Sequence, residues 1–160
     1  MQSLHVFDMD GTLFDTREAT KRAYEAAGLP EYKSEYWGKS AAEWGCPRDV
    51  HNRKHAHYLS FANVIQPAWA YPFYEVAGAY SAVILTGASE DTVDVLRGMF
   101  DTPLPTPFGC GLSADDKRNV LARLTRVGWK IYYYDDQVET AIRIVDGLDR
   151  VDLVTEGDLQ

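Results

Sequence analysis

Three short apolar runs in this chain each stop abruptly on a side chain that carries chemistry. "LHVF" at 4–7 runs into Asp8, "AVIL" at 82–85 into Thr86, and "KIYYY" at 130–134 into Asp135 and Asp136. Runs of this length fit buried strands, and stretches with apolar residues at helical spacing follow them. Strands alternating with helices predict an α/β protein with a parallel sheet and helices on both of its faces. In such sheets ligands gather beyond the carboxyl ends of the strands. Asp8, Thr86, Asp135 and Asp136 are therefore expected around one mouth.

The first run continues as "DMDGTLFD", which places Asp8 and Asp10 two residues apart. In extended chain such neighbours share a face. Two carboxylates about 4 Å apart repel by roughly 4 kcal/mol at an effective dielectric near 20, so they need a cation, a shared proton or separation. A divalent metal is the simplest relief. An all-oxygen donor set favours a hard ion, and Mg²⁺ held by one or two carboxylates and a substrate phosphate is the expected choice. Phosphate also needs donors. Thr86 and Gly87 offer a hydroxyl and backbone N–H groups, and Gly11 lets the backbone approach an anion closely. Lys117 stands in the first turn of a predicted helix, where the macrodipole disfavours a cation, so a role at the mouth would explain its place.

The remaining elements are read from periodicity and punctuation. Asp15 with Glu18 resembles a capping box opening a helix through Ala19, Ala23, Tyr24 and Ala27, stopped by Gly28 and Pro30. From 31 to 72 aromatic residues are dense and no strand is legible. We read a helical insertion there, with one fair helix from about 49 to 65 carrying Val50, Tyr58, Phe61 and Ile65, ended by Pro67. "SAVILTG" fits a central strand buried on both faces. A helix is expected near 90–100 (Val93, Leu96, Met99, Phe100) and another over about 115–127 (Val120, Leu121, Leu124, Val127). A further helix carries Val138, Ala141, Ile142, Val145 and Leu148, and "RVDLV" is a last short strand. "TPLPTP" at 102–107 is a loop. "TPFGCG" at 106–111 contains no convincing apolar run, which leaves a third strand without a position.

With 160 residues, 46% of them apolar and 25% charged, the chain fits one globular domain with a small insertion. Its net charge of −8 disfavours long duplex nucleic acid and anionic membranes as partners, since both reward clustered Lys and Arg. Cys46 and Cys110 match neither a disulfide framework nor a paired zinc motif and are expected to be reduced, buried thiols. The chain reaches Asp8 and Asp10 with no apolar stretch of signal-peptide kind, and its longest apolar run is far short of a membrane span, so a cytoplasmic protein is expected. Nothing in the composition sets an oligomeric state.

"DMDGTL", "ILTG", Lys117 in "ADDKRNVL", and "YYYDD" stand in the order and spacing of four motifs of the haloacid dehalogenase-like (HAD) superfamily of phosphohydrolases, which this chain resembles. The resemblance covers about 3–20 and 75–155; the stretch 31–72 matches only as a C1-type cap at the usual place. It implies a Rossmann-like three-layer core over 1–20 and 72–160, with a small helical cap over 21–71. It also implies a Mg²⁺-dependent phosphatase. Asp8 would be the nucleophile that becomes an aspartyl-phosphate, and Asp10 the acid and base, its backbone carbonyl on the metal. Asp135 and Asp136 would join Asp8 and Asp10 around the metal, either or both directly. Gly11, Thr86, Gly87 and Lys117 would hold the phosphoryl group.

Plainer readings stand beside these. Thr86 also fits a helix-proximal cap, Arg118 could face the mouth in place of Lys117, and Asp115 and Asp116 fit an ordinary helix start. His51 and His55 lie at i, i+4 with His57 close by, which invites zinc, although no clear third ligand is visible. The insertion's aromatic residues fit a small core. Trp37, Lys39 and Arg48 are the candidate substrate contacts there. The expected activity is hydrolysis of a small phosphorylated metabolite, and the basic, ring-rich "RDVHNRKHAH" makes a nucleotide a candidate. The alternatives are a 3′ phosphatase of nucleic-acid ends, a phosphotransferase or mutase, and a non-catalytic phosphate-binding module.

Overall fold

The structure is a computed structural model that describes residues 2–77, 81–97 and 109–159. In chain order the strands are β1 (Ser3–Phe7), the two-residue β2 (Phe14–Asp15) and β3 (Gln66–Pro67), β4 (Ala82–Ile84), β5 (Lys130–Tyr134) and β6 (Val151–Val154). The helices are α1 (Arg17–Ala26), α2 (Arg48–Tyr58), α3 (Tyr71–Ala77), α4 (Glu90–Arg97), α5 (Ala114–Arg126) and α6 (Val138–Val145).

β4, β1, β5 and β6 lie side by side in that order, every pair parallel. The side-chain alternation of β1 and β5 divides the layers. Leu4, Val6, Ile131 and Tyr133 point to one face, where Leu85, Leu121 of α5 and Ala141 and Ile144 of α6 complete a buried cluster. Side chains of this kind contribute roughly 1.5–3 kcal/mol each when fully buried. On the opposite face Phe7 stacks on Tyr134, ring centroids 4.3 Å apart, and meets Tyr74 of α3 edge-on at 5.8 Å. The result is the expected α/β arrangement, a parallel sheet between helices.

Among the described strands β4 and β6 end the order and β1 and β5 are the central pair, but β4 is itself paired on both sides. On the far side of β4, Leu85 forms a parallel bridge to Gly109, and the Thr86 N–H donates to the Gly109 carbonyl at 3.1 Å. Pairing thus continues inside "TPFGCG". The loop "TPLPTP" and the helix positions Met99 and Phe100 lie outside the described residues.

The chain divides into two compact units, Met1–Phe14 with Pro67–Gln160, and Asp15–Gln66. The division falls before α1, whose residues Tyr24 and Ala27 form a core with Val50 of α2. Tyr32, Tyr36 and Trp44 close on that core, with Tyr24 stacked on Tyr32 at 5.4 Å and Tyr36 on Trp44 at 4.2 Å. These rings are packing, as expected of a small insertion.

Three local expectations change. The Asp15–Glu18 capping box does not form, because Asp15 takes the Arg17 guanidinium at 2.8 and 3.0 Å and Glu18 takes Arg22 at 2.9 Å. Thr16 is the N-cap instead. The helix expected over 49–65 is α2 followed by a 3₁₀ segment, Leu59–Val64. Cys46 and Cys110 are free, as expected, but half-buried and not buried. Among the described residues no helix is long and apolar enough to cross a membrane.

Candidate active site

Asp8 follows β1 with the parity of Leu4 and Val6, so it extends the face that carries α5 and α6. Its N–H still donates to the Tyr134 carbonyl at 2.9 Å, which fixes it at the end of the ladder. Asp135 follows β5 with the parity of Ile131 and Tyr133, on the same face. The sheet therefore brings the two carboxylates together from positions distant in sequence.

Helix α5 supplies the cation. Ser113 caps it by a reciprocal pair: its hydroxyl accepts from the Asp116 N–H at 3.1 Å, and the Asp116 carboxylate accepts from the Ser113 N–H at 3.0 Å. Asp116 is thus a helix-start residue. One position on, Lys117 is buried and donates from Nζ to Asp8 Oδ1 at 2.7 Å. Arg118 turns the other way and donates to the carbonyls of Arg143, Ile144 and Asp146 around the end of α6. Burial alone would lower the Lys117 pKa, but the negative charges of Asp8, Asp135 and Asp10 and the bond to Asp8 outweigh it, and the ammonium is held above its ordinary value.

One carboxylate oxygen from each of Asp8, Asp135 and Asp136 lies within 4.8 Å of the others. Asp135 Oδ2 accepts from the Tyr133 hydroxyl at 2.7 Å and Oδ1 from the Gln137 N–H at 2.9 Å. Asp136 Oδ2 accepts from Gln137 Nε2 at 3.0 Å. Thr12 stands between, its hydroxyl 3.3 Å from both Asp8 Oδ2 and Asp136 Oδ1 while it accepts the Asp136 N–H at 3.1 Å. One hydroxyl hydrogen can serve only one of those carboxylates at a time. The cluster therefore retains excess negative charge. Burial, and then the charge of Asp8, push Asp135 up to about 7 and Asp136 up to about 6. Three oxygen donors crowded at this cost fit a hard divalent cation such as Mg²⁺.

The loop after Asp8 is a tight turn in which the N–H groups of Thr12, Leu13 and Phe14 all point at the Met9 carbonyl, at 3.0–3.2 Å. Gly11 has φ +79°, and a Cβ there would collide with the Asp136 carboxylate, so only glycine fits. The carboxylate of Asp10 is not in the three-residue cluster, although its charge reaches Lys117. Its chain bridges to Phe14. Thr86 is fully buried, and its hydroxyl accepts from the Ala88 N–H at 3.0 Å, which leaves the O–H able to donate. Gly87 beside it is exposed, with a Cβ position 3.2 Å from the Leu112 carbonyl.

Trp37, Lys39 and Arg48 belong to the second unit, Trp37 half-buried and the other two exposed. His51 Nδ1 is 3.0 Å from the Tyr24 hydroxyl, and the His55 ring meets His51 edge-on. Among the described residues neither joins a metal-ligand group. Three residues that the sequence does not single out also belong to the cluster's surroundings: Tyr133, Gln137 and Trp69. Trp69, read with the insertion, lies in the first unit and donates from Nε1 to the Gly11 carbonyl at 3.0 Å. Tyr133 was findable, since it precedes Asp135 by two on one face of the strand.

No protein-family model matches the chain, and no curated protein matches it. Solved structures do. The CbbY protein of Rhodobacter sphaeroides, in complex with phosphate, superposes with a TM-score of 0.70 at 18% identity, over 97% of this chain and 86% of that one. A putative phosphoglycolate phosphatase from Lactobacillus plantarum gives 0.61 at 15%, over 98% and 87%. A HAD-superfamily hydrolase of subfamily IA from Geobacter sulfurreducens gives 0.61 at 17%, over 97% and 89%. With the parallel sheet, its helices and the strand-end carboxylates already described, these likenesses identify the fold of this chain as that of the haloacid dehalogenase-like superfamily.

Proposed function

We propose that the chain is a Mg²⁺-dependent phosphomonoester hydrolase that works through an aspartyl-phosphate on Asp8. The observation that carries this is the placement of Lys117 Nζ 2.7 Å from Asp8 Oδ1, beside a cluster in which Asp8, Asp135 and Asp136 converge. A carboxylate paired with a buried ammonium is placed to act as a nucleophile, and the oxygen donors beside it suit a hard cation. Asp8, Asp135 and Asp136 would hold Mg²⁺, which when bound offsets their repulsion and the charge of the phosphoryl oxygens.

Asp8 attacks phosphorus, and the ester P–O bond breaks. Asp10 gives a proton to the departing oxygen and later takes one from the water that attacks the acyl-phosphate, releasing inorganic phosphate and restoring Asp8. Lys117 and the hydroxyl of Thr86 bind phosphoryl oxygens as charge redistributes. The unit Asp15–Gln66 acts as a cap that restricts the leaving group, with Trp37, Lys39 and Arg48 as its substrate contacts.

A small phosphorylated metabolite is the proposed substrate class. Within "RDVHNRKHAH", Arg53 is engaged by the Ala27 carbonyl and Asp49, His51 by Tyr24, and Lys54 lies over the Tyr24 and Tyr58 rings. That leaves less of this patch for a nucleotide base than its composition suggests. The test is phosphate release from sugar phosphates, nucleotides and 3′-phosphorylated oligonucleotides, with and without Mg²⁺. Release confined to small phosphates and dependent on Mg²⁺ is expected; no release from any of them by folded protein would remove the proposal.

A further inference from the structure

The hydroxyl of Tyr133 is fully buried, beneath the mouth of the sheet. Its ring belongs to the apolar cluster of β1, β5, α5 and α6, while its oxygen reaches past that cluster to Asp135 Oδ2 at 2.7 Å. A phenylalanine would fill the same space, so packing alone does not call for the hydroxyl. Burying a phenol is tolerated only where the O–H finds a partner, and here the partner is a carboxylate of the metal-ligand group.

The bond divides the two oxygens of Asp135. Oδ2 is tied to the Tyr133 hydroxyl and Oδ1 to the Gln137 N–H, so the carboxylate plane is held from both sides and cannot turn about its last torsion without breaking a buried bond. Asp136, by comparison, is held by the side chains of Thr12 and Gln137 in half-buried surroundings. Outer partners that orient a ligating side chain typically cost about 10- to 100-fold in metal affinity when they are removed.

We infer that Tyr133 is a positioning residue, whose hydroxyl fixes the Asp135 carboxylate in the orientation that receives the divalent cation. This rests on the Mg²⁺ reading proposed above. It assigns the residue two positions before Asp135 to metal binding, with no contact of its own to substrate.

The experiment is calorimetric titration of Mg²⁺ into the wild-type protein, Tyr133→Phe, Asp135→Asn and the double variant, with near-ultraviolet circular dichroism and urea midpoints in EDTA as controls of folding. Tyr133→Phe keeps the ring and is expected to weaken Mg²⁺ binding by about 10- to 100-fold. In the Asp135→Asn background the same change is expected to weaken it no further, because the hydroxyl acts through that carboxylate. Equal affinity of wild type and Tyr133→Phe would overturn the inference while leaving the Mg²⁺ reading intact. So would an equal loss in both backgrounds, which is the mark of a structural effect. Absence of Mg²⁺ binding by the wild-type protein would overturn both.

Discussion

Lys117 and Asp8, separated by 109 positions in sequence, meet in a buried ion pair of 2.7 Å. Neither group could be buried alone without a large desolvation cost, and together they leave a lysine in the first turn of α5, where a helix normally disfavours one. The pair joins the end of β1 to the start of α5 at the point where the other strand-end carboxylates gather.

Removing the cation should be costly twice. Lys117→Ala leaves the Asp8 carboxylate buried without its partner, and breaking one side of such a pair typically costs about 3–5 kcal/mol. If Lys117 also binds the phosphoryl group, kcat should fall by roughly 10²–10³. Urea unfolding and steady-state kinetics on the same preparation separate the two losses. Lys117→Met, which keeps the apolar stem, should recover part of the stability and none of the activity.

The carboxylate cluster should make stability depend on pH and, through the proposed cation, on Mg²⁺. Asp135 and Asp136 have folded-state values raised to about 7 and about 6, against about 3.9 for an unfolded aspartate. Between these values the folded protein binds protons that the unfolded chain has released, so the stability of the metal-free protein falls as pH rises from about 4 to about 7, and the loss is complete above that. The raised Lys117 acts elsewhere, contributing stability that is full below about pH 10 and fades above it. Melting temperatures in EDTA should be higher near pH 5 than near pH 8. Added Mg²⁺ should raise the second much more than the first.

Gly11→Ala should damage the cluster without replacing any of its ligands. The position has φ +79°, and the new methyl would strike the Asp136 carboxylate. Backbone strain of this kind costs about 1–3 kcal/mol. The expected signature is a lower melting temperature together with weaker Mg²⁺ binding by calorimetry.

Thr86→Val tests the hydroxyl at the end of β4. Its shape is nearly conserved, and the bond lost within the protein is the one from the Ala88 N–H. Phosphate release should drop by roughly 10²-fold, the effect of removing one donor from a charged transition state, with a stability change of about 1 kcal/mol.

What could be read from the sequence follows from what sequence encodes directly. Runs such as "LHVF" and "KIYYY" are the short apolar stretches of buried strands, and the polar residue that ends each run marks the edge of the ladder. That put Asp8, Thr86 and Asp135 at one end of a parallel sheet, which fixes their neighbourhood without further detail. Lys117 was legible because it violates a local preference. Features set by competition between tertiary partners were not legible. Asp15 had an arginine two positions away that out-competed the capping role. Trp69 reads as one more aromatic of the insertion until the chain folds back and its indole N–H meets the Gly11 carbonyl.

The central claim is that Asp8 carries the phosphoryl group. It is tested most directly by acid-quenching the protein during turnover of a substrate whose leaving group needs no protonation, and mapping the phosphorylated peptide by mass spectrometry. Asp10→Asn should slow hydrolysis of the intermediate more than its formation, so the phosphoryl group is expected on the peptide containing Asp8, at higher occupancy in Asp10→Asn than in wild type and absent from Asp8→Asn. Undiminished phosphate release by Asp8→Asn, or a phosphoryl group mapped to another residue, would contradict it.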